Sequence, residues 1–219
     1  MKPARKKRTS ETHEAHVREL ELNPDRTRKI RTVLLGASNF QRLATNYSYG
    51  QFAQDYGVYN AGVGGDGIQH MLWRVQQGHL FRHVKPKVVV IMAGTNNIAT
   101  HSDQDIVTGV SQLVQAVREA TFNKARIVLM SILPMHQSGA SAEHIVELNA
   151  RIKGINALLA TFVGTTVDPN MQFEDFMSQF CLDLVPQREY FSDDVHLNAL
   201  GQRRFLHGLA GALDDAFRQ

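Results

Sequence analysis

From Ile30 onward the chain alternates short β-branched apolar runs with amphipathic stretches, and this alternation limits its fold more than any other feature. Thr32–Leu35, Val58–Asn60, Val88–Met92, Arg126–Met130 and Thr165–Val167 read as five buried strands. Each is brief and bounded by Gly, Pro, Asn or Asp. Between them, Ile106, Val107, Val110, Leu113, Val114 and Val117 share one helix face. Ile145, Leu148, Ile152, Ile155, Leu159 and Phe162 make a second stripe, and Phe205, Leu206, Leu209 and Leu213 a third. Asp66–Leu80 predicts a fourth helix, with Met71, Leu72 and Val75 inside it. Strand alternating with helix calls for parallel strands joined by right-handed crossovers, with helices on both faces. The expected fold is therefore α/β: a three-layer α/β/α sandwich on a five-stranded parallel sheet of flavodoxin-like order 2-1-3-4-5.

Residues 1–29 break the pattern. They are polar and charged, and read as a basic, flexible leader with a short helix over Glu11–Leu22, ahead of one domain spanning 30–219. Residues 1–31 carry ten Lys or Arg against five Asp or Glu, a net of +5. The whole chain stands at +3, so the remainder is at −2 (3 minus 5). Such a leader can meet nucleic acid or an anionic surface non-specifically, whereas the domain lacks the positive excess of a nucleic-acid binder. Cys181 is the only cysteine, which excludes an intrachain disulfide and argues against a structural zinc site. No apolar run reaches the ~18 residues of a membrane span, and no apolar segment follows the basic N-terminus as in a secretory signal. An intracellular, cytoplasmic location is expected.

In an open α/β sheet, ligands gather at the carboxyl ends of the strands. The first strand runs into Gly36-Ala37-Ser38-Asn39, where a serine after a glycine turn can present its hydroxyl at that edge. Taken alone, Ser38 reads first as a helix N-cap. After the second strand comes Asn60-Ala61-Gly62-Val63-Gly64-Gly65-Asp66-Gly67. Gly62, Gly64 and Gly67 fit G-x-G-x-x-G, but the segment follows the second strand, and the third strand ends without the acidic residue of a dinucleotide site. A glycine here can instead aim a backbone N–H at an oxyanion. The third strand ends in Gly94-Thr95-Asn96-Asn97, which brings a neutral amide donor to the same edge. Near the C-terminus, Asp193 and His196 are three apart in Ser192-Asp193-Asp194-Val195-His196. That spacing lets the carboxylate accept from Nδ1 and leaves Nε2 free as a base. Asp194 directly precedes Val195 and should point away. His70, His79 and His83 lie on or beside a predicted helix and read as surface or core residues.

Ser, Gly, Asn and D-x-x-H in this order and these loops resemble the SGNH (GDSL-like) hydrolases. Within that family the chain is most similar to the catalytic subunits of intracellular type Ib platelet-activating-factor acetylhydrolase. Asn60 to Asn97 carries the likeness most specifically, and it extends more loosely from about Val33 to Leu209. The resemblance implies Ser38 as nucleophile, His196 as general base and acid, and Asp193 as its orienting partner. It implies an oxyanion hole from the N–H groups of Ser38 and Gly62 and the side chain of Asn96, with no cofactor and no metal. The family's G-D-S block reads Gly36-Ala37-Ser38 here, so the carboxylate beside the nucleophile is missing.

Two functional expectations follow. The first is a serine esterase acting on a small acyl-ester or lipid-like substrate of the short, acetyl type. The alternative is an SGNH-like domain of weak or no activity that binds RNA or protein, which the leader and Ala37 favour. Relatives of the acetylhydrolase subunits also allow a homodimer. On the esterase reading, removing residues 1–29 should leave activity intact.

Overall fold

The structure, a computed structural model, describes residues 1–166 and 168–218. Its strands are β1 (Thr32–Gly36), β2 (Val58–Asn60), β3 (Val88–Met92), β4 (Arg126–Met130) and β5 (Met171–Glu174). They pair in the order β2-β1-β3-β4-β5, all parallel, as the alternation of elements implied. The helices are α1 (Lys7–Leu22), α2 (Pro24–Thr27), α3 (Ser38–Leu43), α4 (Tyr49–Asp55), α5 (Ile68–Gln76), α6 (Asp103–Ala120), α7 (Ala142–Thr165) and α8 (Ala199–Arg218).

The side chains of β1 and β3 alternate between two cores because successive strand residues point to opposite faces. Val33, Leu35, Val89 and Ile91 pack with Ile68, Met71, Ile106, Leu113, Ile152 and Ile155 of α5, α6 and α7. Leu34, Val88, Val90 and Met92 pack with Phe40, Leu43, Phe52, Phe205 and Leu209 of α3, α4 and α8. Both faces of the central strands are buried, which is why those strands read as continuous apolar runs.

Two expectations are corrected. The last strand is Met171–Glu174, not Thr165–Val167: Thr165 is the final residue of α7, whose apolar stripe carries the helix on, and Val167 lies outside the described residues. Residues 7–22, expected within a solvated leader, form α1 and bury Thr9, Ser10, His13 and Leu20. Leu20 joins the α5–α6 core, and His13 stands edge-on to Trp73 of α5 at 5.3 Å between ring centres. A leader with one apolar face gains more by covering β2 and α5 than by remaining in water. None of the helices, among the described residues, is long and apolar enough to cross a membrane.

Candidate active site

At the end of β1 the chain turns sharply through Gly36. A Cβ there would stand 2.5 Å from the Phe40 ring and 3.0 Å from the Met92 carbonyl, so only glycine lets β1 pass directly into α3. Ser38 is the first residue of α3, and Ala37 occupies the cap position without a side-chain hydrogen bond. The Ser38 N–H has no partner among the described residues, as expected in a first helical turn.

The loop between the last 3-10 turn and α8 delivers a histidine to this serine. His196 Nε2 lies 2.8 Å from Ser38 Oγ, across 158 residues of sequence. On the other side of the ring, Nδ1 is 2.7 and 2.8 Å from the two Asp193 oxygens. An ionised carboxylate only accepts, so Nδ1 carries the proton and the neutral ring's Nε2 accepts from the serine O–H. Partial burial opposes ionisation of Asp193, but the Val195 N–H, the His196 ring and the His196 N–H all donate to it and hold its carboxyl down at about 2. Arg42, one turn along α3 from Ser38, adds a guanidinium 3.4 Å from Asp193 Oδ2.

Asn39 ties the two halves of the site together. Its Nδ2 donates to the Val195 carbonyl at 3.0 Å, and its Oδ1 accepts from the Leu197 N–H at 3.3 Å. Asp194 faces elsewhere: its carboxylate accepts from the N–H and hydroxyl of Ser138, both at 2.8 Å. His70 accepts from the Gly67 N–H through Nδ1 at 2.9 Å and so serves the start of α5.

The small cleft over Ser38 is lined by Ala37, Ser38, Asn39, Asp66 and the β3 tail from Met92 to Asn96. Asn96 reaches it after Gly94, whose φ of 121° is open only to glycine. Asn96 Nδ2 donates one hydrogen to the Asp66 carbonyl at 2.9 Å, leaving its second hydrogen available. Neighbouring Asn97 is fully buried and accepts from the Ile68 N–H, so it shapes the loop instead of facing the cleft.

Gly62 departs from its expected part. Its N–H donates to Asn60 Oδ1 at 2.9 Å, and a Cβ on it would come within 2.4 Å of the Gln41 nitrogen. Its smallness lets the β2 loop lie against α3, and its donor is already engaged. The Gly64 N–H is likewise engaged by Gln41 Oε1 at 3.0 Å. Gly65, at φ 76°, has an N–H without a partner among the described residues. Sequence reasoning missed Asn39 and Arg42, which touch the Asp193–Leu197 loop. Of these only Asn39 left a signal, because it adjoins Ser38.

Residues 32–204 match the family model of the GDSL-like lipase/acylhydrolases. The chain belongs to this family. The platelet-activating factor acetylhydrolase IB subunit alpha1 of Homo sapiens is 35% identical over 155 residues, covering 68% of this chain and 62% of that protein. The alpha2 subunit of Rattus norvegicus is 32% identical over 93 residues, 42% of this chain and 38% of that protein. The chain therefore spans less than two thirds of the length of the curated relatives it matches.

Solved structures of GDSL-like proteins share the fold at low identity. A GDSL-like lipase from Bacteroides thetaiotaomicron superposes with a TM-score of 0.75 at 18% identity, over 93% of this chain and 98% of that one. A carbohydrate esterase from Talaromyces cellulolyticus gives 0.58 at 16% identity, over 86% and 98%. Among the described residues no group of three or more His, Cys, Asp or Glu could hold a metal ion.

Proposed function

We propose that this chain is a serine ester hydrolase that works through an acyl-enzyme on Ser38. The observation that carries the reading is the unbroken chain from Ser38 Oγ through His196 to Asp193, with both links at 2.7–2.8 Å. As Ser38 Oγ attacks the ester carbonyl, its proton passes to His196 Nε2 and the carbonyl electron pair becomes an oxyanion. Asp193 stabilises the imidazolium that forms. Collapse of the tetrahedral species expels the alcohol, which takes the proton from His196 and leaves the acyl group on Ser38. Water, deprotonated by His196, then attacks the acyl carbonyl and returns the serine hydroxyl.

The oxyanion would be received by the Ser38 N–H and the second hydrogen of the Asn96 amide. The Gly62 N–H, already engaged by Asn60 Oδ1, is not counted among them. Preorganised donors of this kind are each worth about 10²–10³ in rate.

A short acyl group fits best. The cleft at Ser38 is small, well short of the ~300–1,000 Å³ of an ordinary small-molecule pocket. The larger grooves lie away from this edge, one of about 850 Å³ between Val75 and Lys124 and one of about 710 Å³ beside α7. The names of the acetylhydrolase relatives point the same way. In the leader Arg5, Lys6, Lys7, Arg26 and Arg28 are in ion pairs with carboxylates, which weakens the RNA-binding alternative without cancelling the segment's net positive charge.

The decisive experiment is fluorophosphonate labelling with p-nitrophenyl acetate turnover. Wild-type protein should hydrolyse the ester and gain one phosphonyl group on Ser38. Ser38→Ala should do neither while melting at nearly the same temperature. Hydrolysis retained by the variant above a few per cent would move the nucleophile elsewhere.

A further inference from the structure

Asp66 carries a fully buried carboxylate beside the Ser38 cleft, and the N-terminal segment supplies two of the groups around it. Thr9 Oγ1 donates to its Oδ1 at 2.5 Å, and Lys6 Nζ lies 3.5 Å from the same oxygen. The third is Arg74 of α5, fully buried, with Nε 3.2 Å from Oδ2 and Nη1 2.5 Å from the Ala61 carbonyl. Burial pushes the Arg74 guanidinium down to about 10. Lys6 also donates to the Gly65 carbonyl, and the Ala4 N–H donates to the Gln69 carbonyl at 2.9 Å. Arg8 lies so close to Gly64 that a Cβ there would come 2.8 Å from its Nη2. The segment from Ala4 to Thr9 thus runs along the outside of the whole Gly64–Gln69 turn.

That turn faces the site on its other side. Asp66 lines the Ser38 cleft, and its carbonyl orients the Asn96 amide there. The rest of α1 covers apolar surface, with Leu20 in the core and His13 against Trp73, and needs neither Lys6 nor Thr9 for that. A buried carboxylate stripped of a partner is strongly disfavoured, so the turn would shift to find water or another donor.

We propose that Lys6 and Thr9 are positioning residues: they fix the Gly65–Asp66 turn from outside and thereby set the Asn96 amide, an oxyanion donor, over Ser38. The idea rests on the ester-hydrolase reading for its kinetic consequence, though not for its structural one. It also reverses the expectation that residues 1–29 are dispensable for activity. A turn displaced by about 1 Å can lose on the order of 100-fold in rate.

The test uses the full chain with Thr9→Val, Thr9→Ser, Lys6→Met and Lys6→Arg. Thr9→Val and Lys6→Met should lower kcat for p-nitrophenyl acetate by about 10- to 100-fold while KM moves little, because the donors act on the transition state. Thr9→Ser should restore most of the rate, since it keeps the hydroxyl. A role confined to stability would lower the melting temperature without this kcat loss and without rescue by serine. Amide hydrogen exchange over residues 62–69 should quicken in Thr9→Val and Lys6→Met. Should Thr9→Val not fold, Lys6→Met against Lys6→Arg makes the same comparison at a partly exposed position. Unchanged exchange, or kcat within twofold of wild type in both variants, overturns the proposal. If wild-type protein neither hydrolyses the ester nor takes the phosphonate label, the hydrolase reading fails, and exchange alone then decides the positioning role.

Discussion

Asn39 brackets His196 from both sides, donating to the carbonyl of the residue before it and accepting from the N–H of the residue after it. Because Asn39 directly follows Ser38 on α3, one side chain fixes the distance between serine and histidine. Asn39→Ala should lower kcat by about 10- to 100-fold with a smaller change in KM, as loss of positioning does. Steady-state kinetics with a short acyl ester checks this. A variant within twofold of wild type would mean that the α8 approach alone seats the histidine.

The two adjacent carboxylates should separate cleanly. Asp193→Asn removes the acceptor for His196 Nδ1–H and should cost about 10⁴ in kcat, with the fold intact. Asp194→Asn disturbs the bonds to Ser138, so it should lower the melting temperature far more than it lowers kcat. The opposite ranking in kinetics and melts would reassign the acid.

With its carboxyl held at about 2, Asp193 stays ionised well into the acid range. A depressed carboxyl favours the folded state above its unfolded value of ~3.9 and loses that contribution only as pH falls toward 2. The acid limb of the kcat/KM profile should therefore show one proton, that of His196, with a limiting slope of one on a logarithmic plot. A limiting slope of two above pH 4 would show that a second group must also be deprotonated.

His16 predicts an acid sensitivity of the N-terminal helix. Burial holds its imidazole down at about 4, with Arg74 and His13 also opposing its charge; its ring stands 5.8 Å from that of Tyr59, whose hydroxyl donates to Glu19. An imidazole lowered in the folded state binds fewer protons there than in the unfolded chain. Its contribution is complete above the unfolded value of ~6.5 and is lost as pH falls from there toward 4. The melting temperature should drop between pH 7 and pH 5, and His16→Gln should flatten that drop. Parallel pH–melt curves for the two proteins would count against His16.

Ala37 stands at the cap of α3, where no side chain now receives an N–H of the first turn. Aspartate is a favoured cap, worth about 0.5–2 kcal/mol over alanine, and the first-turn donors it needs are present. Ala37→Asp should therefore raise the melting temperature by a few degrees and raise kcat by steadying the nucleophile turn. Ala37 also packs against the apolar α5–α6 core, so a carboxylate that missed those donors would lie against that core. A melt and a kcat measurement on the single variant decide: lower values of both would mean that the loop has adapted to alanine.

What the sequence determined by itself is local or periodic. Continuous apolar runs and one-sided helical stripes marked the alternation of strand and helix and hence a parallel sheet, because buried central strands must be apolar throughout, while the order β2-β1-β3-β4-β5 matches the flavodoxin-like pattern. The Asp193–His196 contact spans only three residues and was legible for the same reason. The edge strand was not legible, since Met-Gln-Phe-Glu is only half buried and carries no apolar run, while the α7 stripe led past it. The tertiary structure alone decided which donors are free. Gly62, Gly64 and Gly65 look alike in a glycine-rich loop, and only the Asn60 and Gln41 side chains distinguish the engaged N–H groups of Gly62 and Gly64 from that of Gly65. It also decided that the basic N-terminus docks, because the partner of Thr9 and Lys6 is a carboxylate 57 residues away from Thr9, buried where charge cannot stand alone.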